Sequence, residues 1–480
     1  MTARNDSLPA RRRFLSSAGV ALAAVSANSM LVSGQNQPVL LPPYLADIDG
    51  DGQPGSGDTS ILQTALLGQR GFDLTPSPNF DYRADVFGRG VIENQAIESI
   101  YHSVQFWKGR PNLQPRPITV AWHYGWYNTL DRPPGTQTVR FKNGNYYSFD
   151  PEIETVFNDL KNEFGVSVDA LSWIPARNNK DNQTNYRLAF LKAPNVDTRR
   201  VCLLYESTIA LPFSGDRINF QQRSVQSHLL EDFAEMARFL REIRDDTPAK
   251  VFTLDNRPVI FIFGSHTWGV VPYLWGVSTM ITGMRKVFSD IYGSVPFIVG
   301  EEMYLSSKGE FSEDRRRRTR YFDAVYVYHH ASNLKRGREV TLQMTPNYIQ
   351  NQVNILRRTY SAVNAERNVF TGQPVLVIPN LAPGFAKPGH PTLQLGRGAY
   401  GDFMKLLKGI HETWWTAFSP NSPLSIPVYV IGSWNEEFEG HCICPFDFNL
   451  SVPNVVQQGF DLSMAVKEVF GWNHYVNREP

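Results

Sequence analysis

This sequence contains few cysteines, and its net charge is close to zero. The 480 residues contain only three cysteines, too few for a disulfide scaffold: Cys202, Cys442 and Cys444. His441 precedes the last two, but no second ligand pair lies at zinc-site spacing, which favours packing or a local disulfide over a metal site. The formal net charge of +1 argues against nucleic acid or an anionic membrane as the main partner.

Long apolar runs are also missing, apart from a short one near the N-terminus. There, Arg11 and Arg12 precede Phe14 and Leu15, and small apolar residues follow. This order is typical of an export signal and not of a membrane span, with a basic disordered tail as the alternative. The Arg-Arg-x-Phe-Leu order is similar to twin-arginine signals. We therefore expect residues 1–34 to be a twin-arginine export signal and linker, no membrane span elsewhere, and an extracytoplasmic protein that is periplasmic, cell-surface or secreted.

Acidic residues and glycines alternate just after this segment. They match a twelve-residue EF-hand-type loop, in which alternate oxygen ligands surround one calcium ion and Gly52 permits the sharp turn. The alternative is an Asp/Gly turn without metal. The ligands that the pattern predicts are Asp47, Asp49, Asp51, the backbone carbonyl of Gln53, and Asp58.

The spacing of Asp47–Gln69 resembles the repeat of dockerin domains. A second copy, residues 84–104, keeps the register but has Phe87, Arg89 and Ala96 at ligand positions, and an arginine there repels a divalent cation. The resemblance therefore implies a small all-α module over residues 40–107 that binds one structural Ca²⁺, in its first repeat only. A cohesin-like protein is the partner that it implies; a cap on the following domain is the alternative.

From about residue 115 the chain alternates short β-branched runs with longer amphipathic segments. This alternation is typical of a parallel α/β fold. Eight strand–helix units predict a (β/α)8 TIM-type barrel over residues 115–475, with a doubly wound open sheet as the alternative. The eight predicted strands are Ile118–Tyr127, Asp169–Pro175, Val201–Ser207, Pro258–Gly264, Pro296–Glu302, Phe322–His330, Pro374–Asn380 and Pro427–Glu437.

Aromatic and acidic residues gather at the ends of these strands, where the active site of such a barrel lies. Glycoside hydrolysis requires this mixture, because one carboxylic acid protonates the leaving oxygen while a second carboxylate supports the oxocarbenium ion or the nucleophile. The residues in question are His123, Tyr124, Trp126, Tyr127, Trp173, Arg177, Glu206, His266, Trp268, Glu301, Glu302, Tyr328, His329, His330, Trp434, Asn435, Glu436 and Glu439.

The segment SWNEEFEG, residues 433–440, resembles the strand-eight signature of glycoside hydrolase family 99, the endo-α-mannosidase group, and its relatives. AWHYGWYN and VDALSWIP are similar to the strand-one and strand-two patterns of that family. The resemblance implies that Glu439 is the general acid/base and that Glu436 assists attack at the anomeric carbon, with retention, through the sugar's own 2-hydroxyl. The substrate-binding residues that we expect are Tyr124, Trp126, Tyr127, Trp173, Glu206, Tyr328 and Asn435.

Two residues depart from the family pattern. Glu437 stands where an aromatic residue is usual, and Phe438 where a histidine is common. The expected substrate is therefore an α-mannan-like or α-glucan-like polysaccharide, cleaved at internal bonds without a catalytic cofactor. The alternatives are a non-catalytic carbohydrate-binding or cell-surface assembly protein and a glycosyltransferase-like relative, although no clear nucleotide-diphosphate site is present.

Overall fold

The computed structural model describes residues 98, 101–103, 117–126, 139–140, 148–214, 217–268, 274–302, 311–328, 346–385, 393–394, 397–418, 426–436, 442–444, 447–448 and 461–471. The chain divides into two units, Met1–Pro111 and Asn112–Pro480, and nearly all described residues belong to the second. The predicted export signal and the five predicted calcium ligands, Asp47, Asp49, Asp51, Gln53 and Asp58, lie outside the described residues.

In the described residues of the second unit, eight parallel strands make up the main series of the largest sheet. They are short and almost fully buried, which explains why they read in the sequence as continuous apolar runs. In chain order they are β1 (Ile118–His123), β2 (Val168–Trp173), β3 (Arg200–Glu206), β4 (Arg257–Phe263), β5 (Phe297–Glu301), β6 (Ala324–Tyr326), β7 (Leu376–Ile378) and β8 (Val428–Ser433).

The sheet closes on itself. Consecutive strands pair from β1 to β7, and β8 pairs with β1. On its other side β8 contacts the residues that follow β7: the Leu381 N–H donates to the Val430 carbonyl at 2.7 Å, and the Val430 N–H donates to the Pro379 carbonyl at 2.9 Å. The structure is therefore a closed parallel barrel, and the open-sheet alternative is wrong.

A helix follows each strand. The first shows why these boundaries occur: the Asp150 carboxylate accepts the Glu152 N–H, Pro151 begins the helix, and Gly165 ends it at a φ of 88°. The helices are α1 (Pro151–Phe164), α2 (Lys180–Leu188), α3 (Arg223–Asp246), α4 (Leu274–Tyr292), α5 (Glu313–Thr319), α6 (Pro346–Asn364), α7 (Arg397–Phe418) and α8 (Asp461–Phe470).

Shorter elements decorate the loops. A helical turn, Ser207–Ala210, follows β3, and three 3₁₀ turns span Phe190–Lys192, Val196–Thr198 and Ser265–Thr267. The short strands are Val139–Arg140 with Asp447–Phe448, Phe213–Ser214 with Arg217–Ile218, Gly384–Phe385 with Leu393–Gln394, and Lys250–Val251 and Thr253–Leu254 beside the main sheet. No helix in the described part of the chain is long and apolar enough to cross a bilayer.

Side chains of each strand alternate between the barrel interior and the surrounding helices. Trp122, Phe261 and Tyr326 meet inside, with the Trp122 and Phe261 ring centroids 4.9 Å apart. Outside, Trp173 packs on Phe239 of α3 at 4.8 Å. This alternation decides which residues at the strand ends face the mouth of the barrel and which face the helices.

Candidate active site

At the carboxyl edge of the sheet, Asn435 joins the segment after the last strand, β8, to the segment after the first strand, β1. Its side-chain oxygen accepts the Tyr124 N–H and its side-chain nitrogen donates to the Tyr124 carbonyl, both at 2.9 Å. The amide therefore satisfies both backbone groups of a residue that has left the strand ladder. Since Asn435 is fully buried, this pair fixes where the segment after β8 lies against the segment after β1.

Four aromatic residues lie beside this closure. The hydroxyl groups of Tyr124 and Tyr328 are 2.8 Å apart and share a hydrogen bond. Trp126, which is half-buried, packs on Tyr124 with ring centroids 4.4 Å apart. Phe263, at the end of β4, packs on Tyr328 at 4.7 Å. Residues from strands 1, 4 and 6 thus form one aromatic surface at the mouth of the barrel.

Glu436 lies next to the closure and is 5% exposed. Its N–H donates to the Ser433 hydroxyl at 3.0 Å, which ties the residue to the end of β8. Glu439 and Tyr127 lie outside the described residues, as do Glu437 and Phe438. The structure therefore places one member of the predicted Glu-x-x-Glu pair.

The residues Cys442–Cys444 return to the end of β8. The Ile443 N–H donates to the Ser433 carbonyl at 3.0 Å, and the Cys444 N–H donates to the Trp434 carbonyl at 2.9 Å. Cys442 and Cys444 are buried and form no disulfide, which agrees with the expectation of packing and not with that of a local disulfide. Within the described ranges no group of three histidine, cysteine or acidic residues is arranged to hold a metal ion.

Two more carboxylates line the same edge. Glu206 ends β3 and accepts a 2.7 Å hydrogen bond from the Ser172 hydroxyl, while Glu301 ends β5 and accepts the Gly264 N–H at 2.6 Å. Burial, Glu301 and Glu206, in that order, raise the pKa of Tyr326 well above its ordinary value. Both carboxylates therefore face the barrel interior on either side of β4. Glu301 ends a predicted strand but is not among the predicted catalytic or substrate-binding residues; the sequence signal for it is a β-branched run that ends in Glu-Glu.

Trp173 and His123 lie on the outer side of the sheet and do not face the mouth of the barrel. Trp173 is fully buried between sheet and helix α3, so its packing does not support the predicted stacking on a sugar. His123 is also fully buried on the outer side of β1, with its ring 5.4 Å from that of Phe190. A strand-end position alone does not reveal which of the two faces a side chain takes.

His123 belongs to a buried charged cluster behind β1 and β2. The Lys161 ammonium lies 2.7 Å from His123 Nδ1 and 2.6 Å from Asp169 Oδ1, and Arg199 Nε lies 2.7 Å from Asp169 Oδ2. Burial alone would raise the pKa of Asp169, but Arg199 and Lys161 outweigh it and hold that pKa well below its usual range. Lys161 also lies 5.3 Å from the ring of Trp434, so the cluster supports the site from behind.

The edge of the barrel thus carries buried carboxylates from strands 3, 5 and 8 together with tyrosines from strands 1 and 6. Tyrosine hydroxyls and carboxylates can hydrogen-bond a polyol, and an aromatic surface can pack on the apolar face of a sugar ring. Carboxylates at this edge can also take or give a proton. The arrangement is suited to acid–base chemistry on a carbohydrate.

No protein-family model matches the chain, and no curated protein matches its sequence. Among solved structures, a glycoside hydrolase-like protein is similar over 75% of this chain and 95% of its own length, at 12% identity and a TM-score of 0.51. A GH99 endo-α-mannosidase from Bacteroides thetaiotaomicron aligns over 74% of this chain and 97% of its own, at 16% identity and a TM-score of 0.47. At these identities the similarity is one of fold, and the first of the two agrees with the closed barrel.

Proposed function

We propose that the chain is a glycoside hydrolase. The observation that carries the proposal is the convergence of Glu436, Glu206 and Glu301 with the Tyr124–Tyr328 pair at the carboxyl edge of a closed barrel. A shared barrel fold with a glycoside hydrolase-like protein supports it at the level of architecture. More specifically, we propose a retaining enzyme that cleaves internal α-linkages of a polysaccharide, α-mannan-like or α-glucan-like.

In this proposal Glu436 accepts the proton of the sugar's 2-hydroxyl while the 2-oxygen displaces the leaving group at the anomeric carbon. Glu436 returns that proton to the 2-oxygen when water in turn displaces it. Glu439 protonates the leaving glycosidic oxygen and later takes a proton from water. Tyr124 and Tyr328 hydrogen-bond the sugar, Trp126 packs on its apolar face, and Tyr127, Glu206 and Asn435 complete the binding site. The tie from Ser433 to the Glu436 backbone supports a fixed position for this carboxylate.

The test is release of reducing sugar by the purified full chain and by Glu439→Gln and Glu436→Gln, across α-mannan, α-1,3-glucan and several β-linked polymers. We expect activity on one α-glycan that falls by at least about a thousandfold in either variant. Glu235→Gln, on the outer helix α3, is the matched control. A folded wild-type chain that is silent on every polymer would contradict the enzymatic proposal and favour carbohydrate binding without turnover. The anomer first released, read by proton NMR, tests retention.

Three further proposals concern residues that lie almost entirely outside the described ranges. We propose that residues 1–34 direct export, which a signal–reporter fusion tests by its dependence on Arg11 and Arg12.

We propose that residues 40–107 form a module that binds one Ca²⁺, whose predicted donors are all oxygens, as a hard cation prefers. Calorimetry on the full chain should find one tight site that Asp49→Ala removes; two tight sites, or none, would contradict this. A cohesin-like partner is proposed on the resemblance alone, and a pull-down with cohesin domains tests it.

A further inference from the structure

The turn after β4 is tied to the end of β5. Gly264 has a φ of 78°, its N–H donates to Glu301 Oε2 at 2.6 Å, and the Ser265 hydroxyl donates to the Glu301 carbonyl at 2.9 Å. The Thr267 hydroxyl closes the turn on the Gly264 carbonyl at 2.7 Å. These bonds hold the turn without any contribution from the imidazole of His266, which lies in its middle.

That imidazole is a partly exposed group beside a buried carboxylate. His266 Nδ1 lies 3.4 Å from Glu301 Oε2, with the two side chains 28% and 7% exposed. Since Nδ1 faces Glu301, the second nitrogen, Nε2, lies on the far side of the ring. The pair belongs to the candidate site, because Phe263, directly before the turn, pairs in register with Glu206 and packs on Tyr328.

The charges around His266 favour its protonated form. Burial alone would lower its pKa, but Glu301 at the end of β5 and the following Glu302 raise it against a smaller opposing effect of Arg318 on α5, and the pKa ends above its ordinary value. Glu302 is already engaged by Arg318 and by Arg315, whose Nε lies at 3.3 Å. Glu301 is therefore the carboxylate that balances the charge on the ring.

We propose that His266 is a further substrate-binding residue, which donates a hydrogen bond from Nε2 to a glycan hydroxyl while its opposite nitrogen, Nδ1, forms an ion pair with Glu301. This inference rests on the proposed glycosidase function. A structural role for the ring is disfavoured, because the turn has its own hydrogen bonds and the ring retains partial exposure. Glu301 acts here as a positioning residue.

The test compares kcat and KM against pH for wild type, His266→Gln and Glu301→Gln, on the glycan that the wild-type enzyme cleaves. Loss of a hydrogen bond from a charged donor should raise KM about 10- to 100-fold in His266→Gln, with a smaller change in kcat. Wild-type kcat/KM should fall as pH rises through the pKa of His266, and this alkaline limb should vanish in the variant. His228→Gln, on helix α3, should match wild type. An unchanged KM and pH profile in His266→Gln would overturn the inference while leaving the glycosidase function intact.

A second measurement does not depend on turnover. In the full chain with ¹³C-labelled histidine, the pKa of His266 read by NMR should be above the ordinary histidine value of about 6.5 and should fall in Glu301→Gln, which keeps an acceptor for the Gly264 N–H. Oligosaccharides from the tested polymers should shift the His266 signal and leave that of His228 in place. A pKa unaffected by Glu301→Gln, or no shift with any oligosaccharide, would overturn the inference. If oligosaccharides bind at His266 but no polymer is cleaved, only the enzymatic proposal fails.

Discussion

Asn435→Ala should destabilise the barrel strongly, because one amide satisfies two buried backbone groups across its closure. The substitution leaves the Tyr124 N–H and carbonyl without the partners that they have at 2.9 Å. Each buried polar group left unsatisfied costs about 1–3 kcal/mol, so the free energy of unfolding should fall by about 2–6 kcal/mol. A water molecule that enters the space brings the loss to the lower end of this range.

Urea denaturation followed by tryptophan fluorescence measures this loss. The matched control is Asn178→Ala, which removes one exposed hydrogen bond of 3.0 Å to the Ile209 carbonyl and should cost at most about 1 kcal/mol. In native conditions Asn435→Ala should also lose activity, because Tyr124 and Glu436 flank the lost amide. A change in unfolding free energy no larger than that of Asn178→Ala would refute the assignment of Asn435 as the closure between β8 and β1.

Three other substitutions test the supporting structure. Gly264→Ala should cost about 1–3 kcal/mol from backbone strain alone, and more because the new Cβ would lie 2.1 Å from the Thr208 methyl group; thermal unfolding measures the sum. Lys161→Met should lower the unfolding free energy by about 3–5 kcal/mol, because it leaves the buried Asp169 with one cation fewer. Burial raises the pKa of Glu412 to about 7 despite Lys408, so its neutral form is favoured in the folded state. Its contribution to stability is therefore complete below the unfolded pKa of about 4.3 and is lost as pH rises through about 7. Glu412→Gln should remove that part of the pH dependence, about 4 kcal/mol at most.

The first two of these substitutions have matched controls in the chain, and Glu412→Gln is compared with wild type. Gly372→Ala has a φ of 69° but no atom within 4 Å of the new Cβ, so it isolates the backbone strain. Lys286→Met breaks an exposed pair with Asp290 and should change stability by at most about 0.5 kcal/mol. Equal losses in Gly264→Ala and Gly372→Ala would exclude the Thr208 contact, and a Lys161→Met loss as small as that of Lys286→Met would exclude a tightly coupled cluster. An identical pH dependence of unfolding in Glu412→Gln and wild type would count against the raised pKa.

The eight strands could be predicted from the sequence because each is buried on both sides. A run such as Pro258–Gly264 is apolar throughout, and the structure has β4 at Arg257–Phe263. The sixth strand was predicted too long: β6 covers Ala324–Tyr326 and not Phe322–His330. β-branched and aromatic residues continue past the end of pairing, and local preference does not show where a neighbouring strand stops.

The candidate site could be predicted only in part. The strand-end rule and the Ser433–Gly440 segment indicate Glu436, Asn435, Tyr124 and Glu206, which the structure places at one edge of the barrel. The same rule selects Trp173, although this residue faces a helix. Strand residues alternate in direction, and the sequence does not show which face is interior when both faces are covered by protein.

The sequence by itself determined the number of strand–helix units, their order and the edge that carries the carboxylates, because these follow from local hydrophobic patterning and chain connectivity. Tertiary structure alone decided three contacts. Val430 of β8 bonds to the residues that follow β7, Asn435 reaches Tyr124 at a separation of 311 residues, and His266 after β4 contacts Glu301 at the end of the neighbouring β5. Such contacts depend on strand register and on the closure of the barrel, which are set by the packing of all eight strands together and leave no periodic trace along the chain.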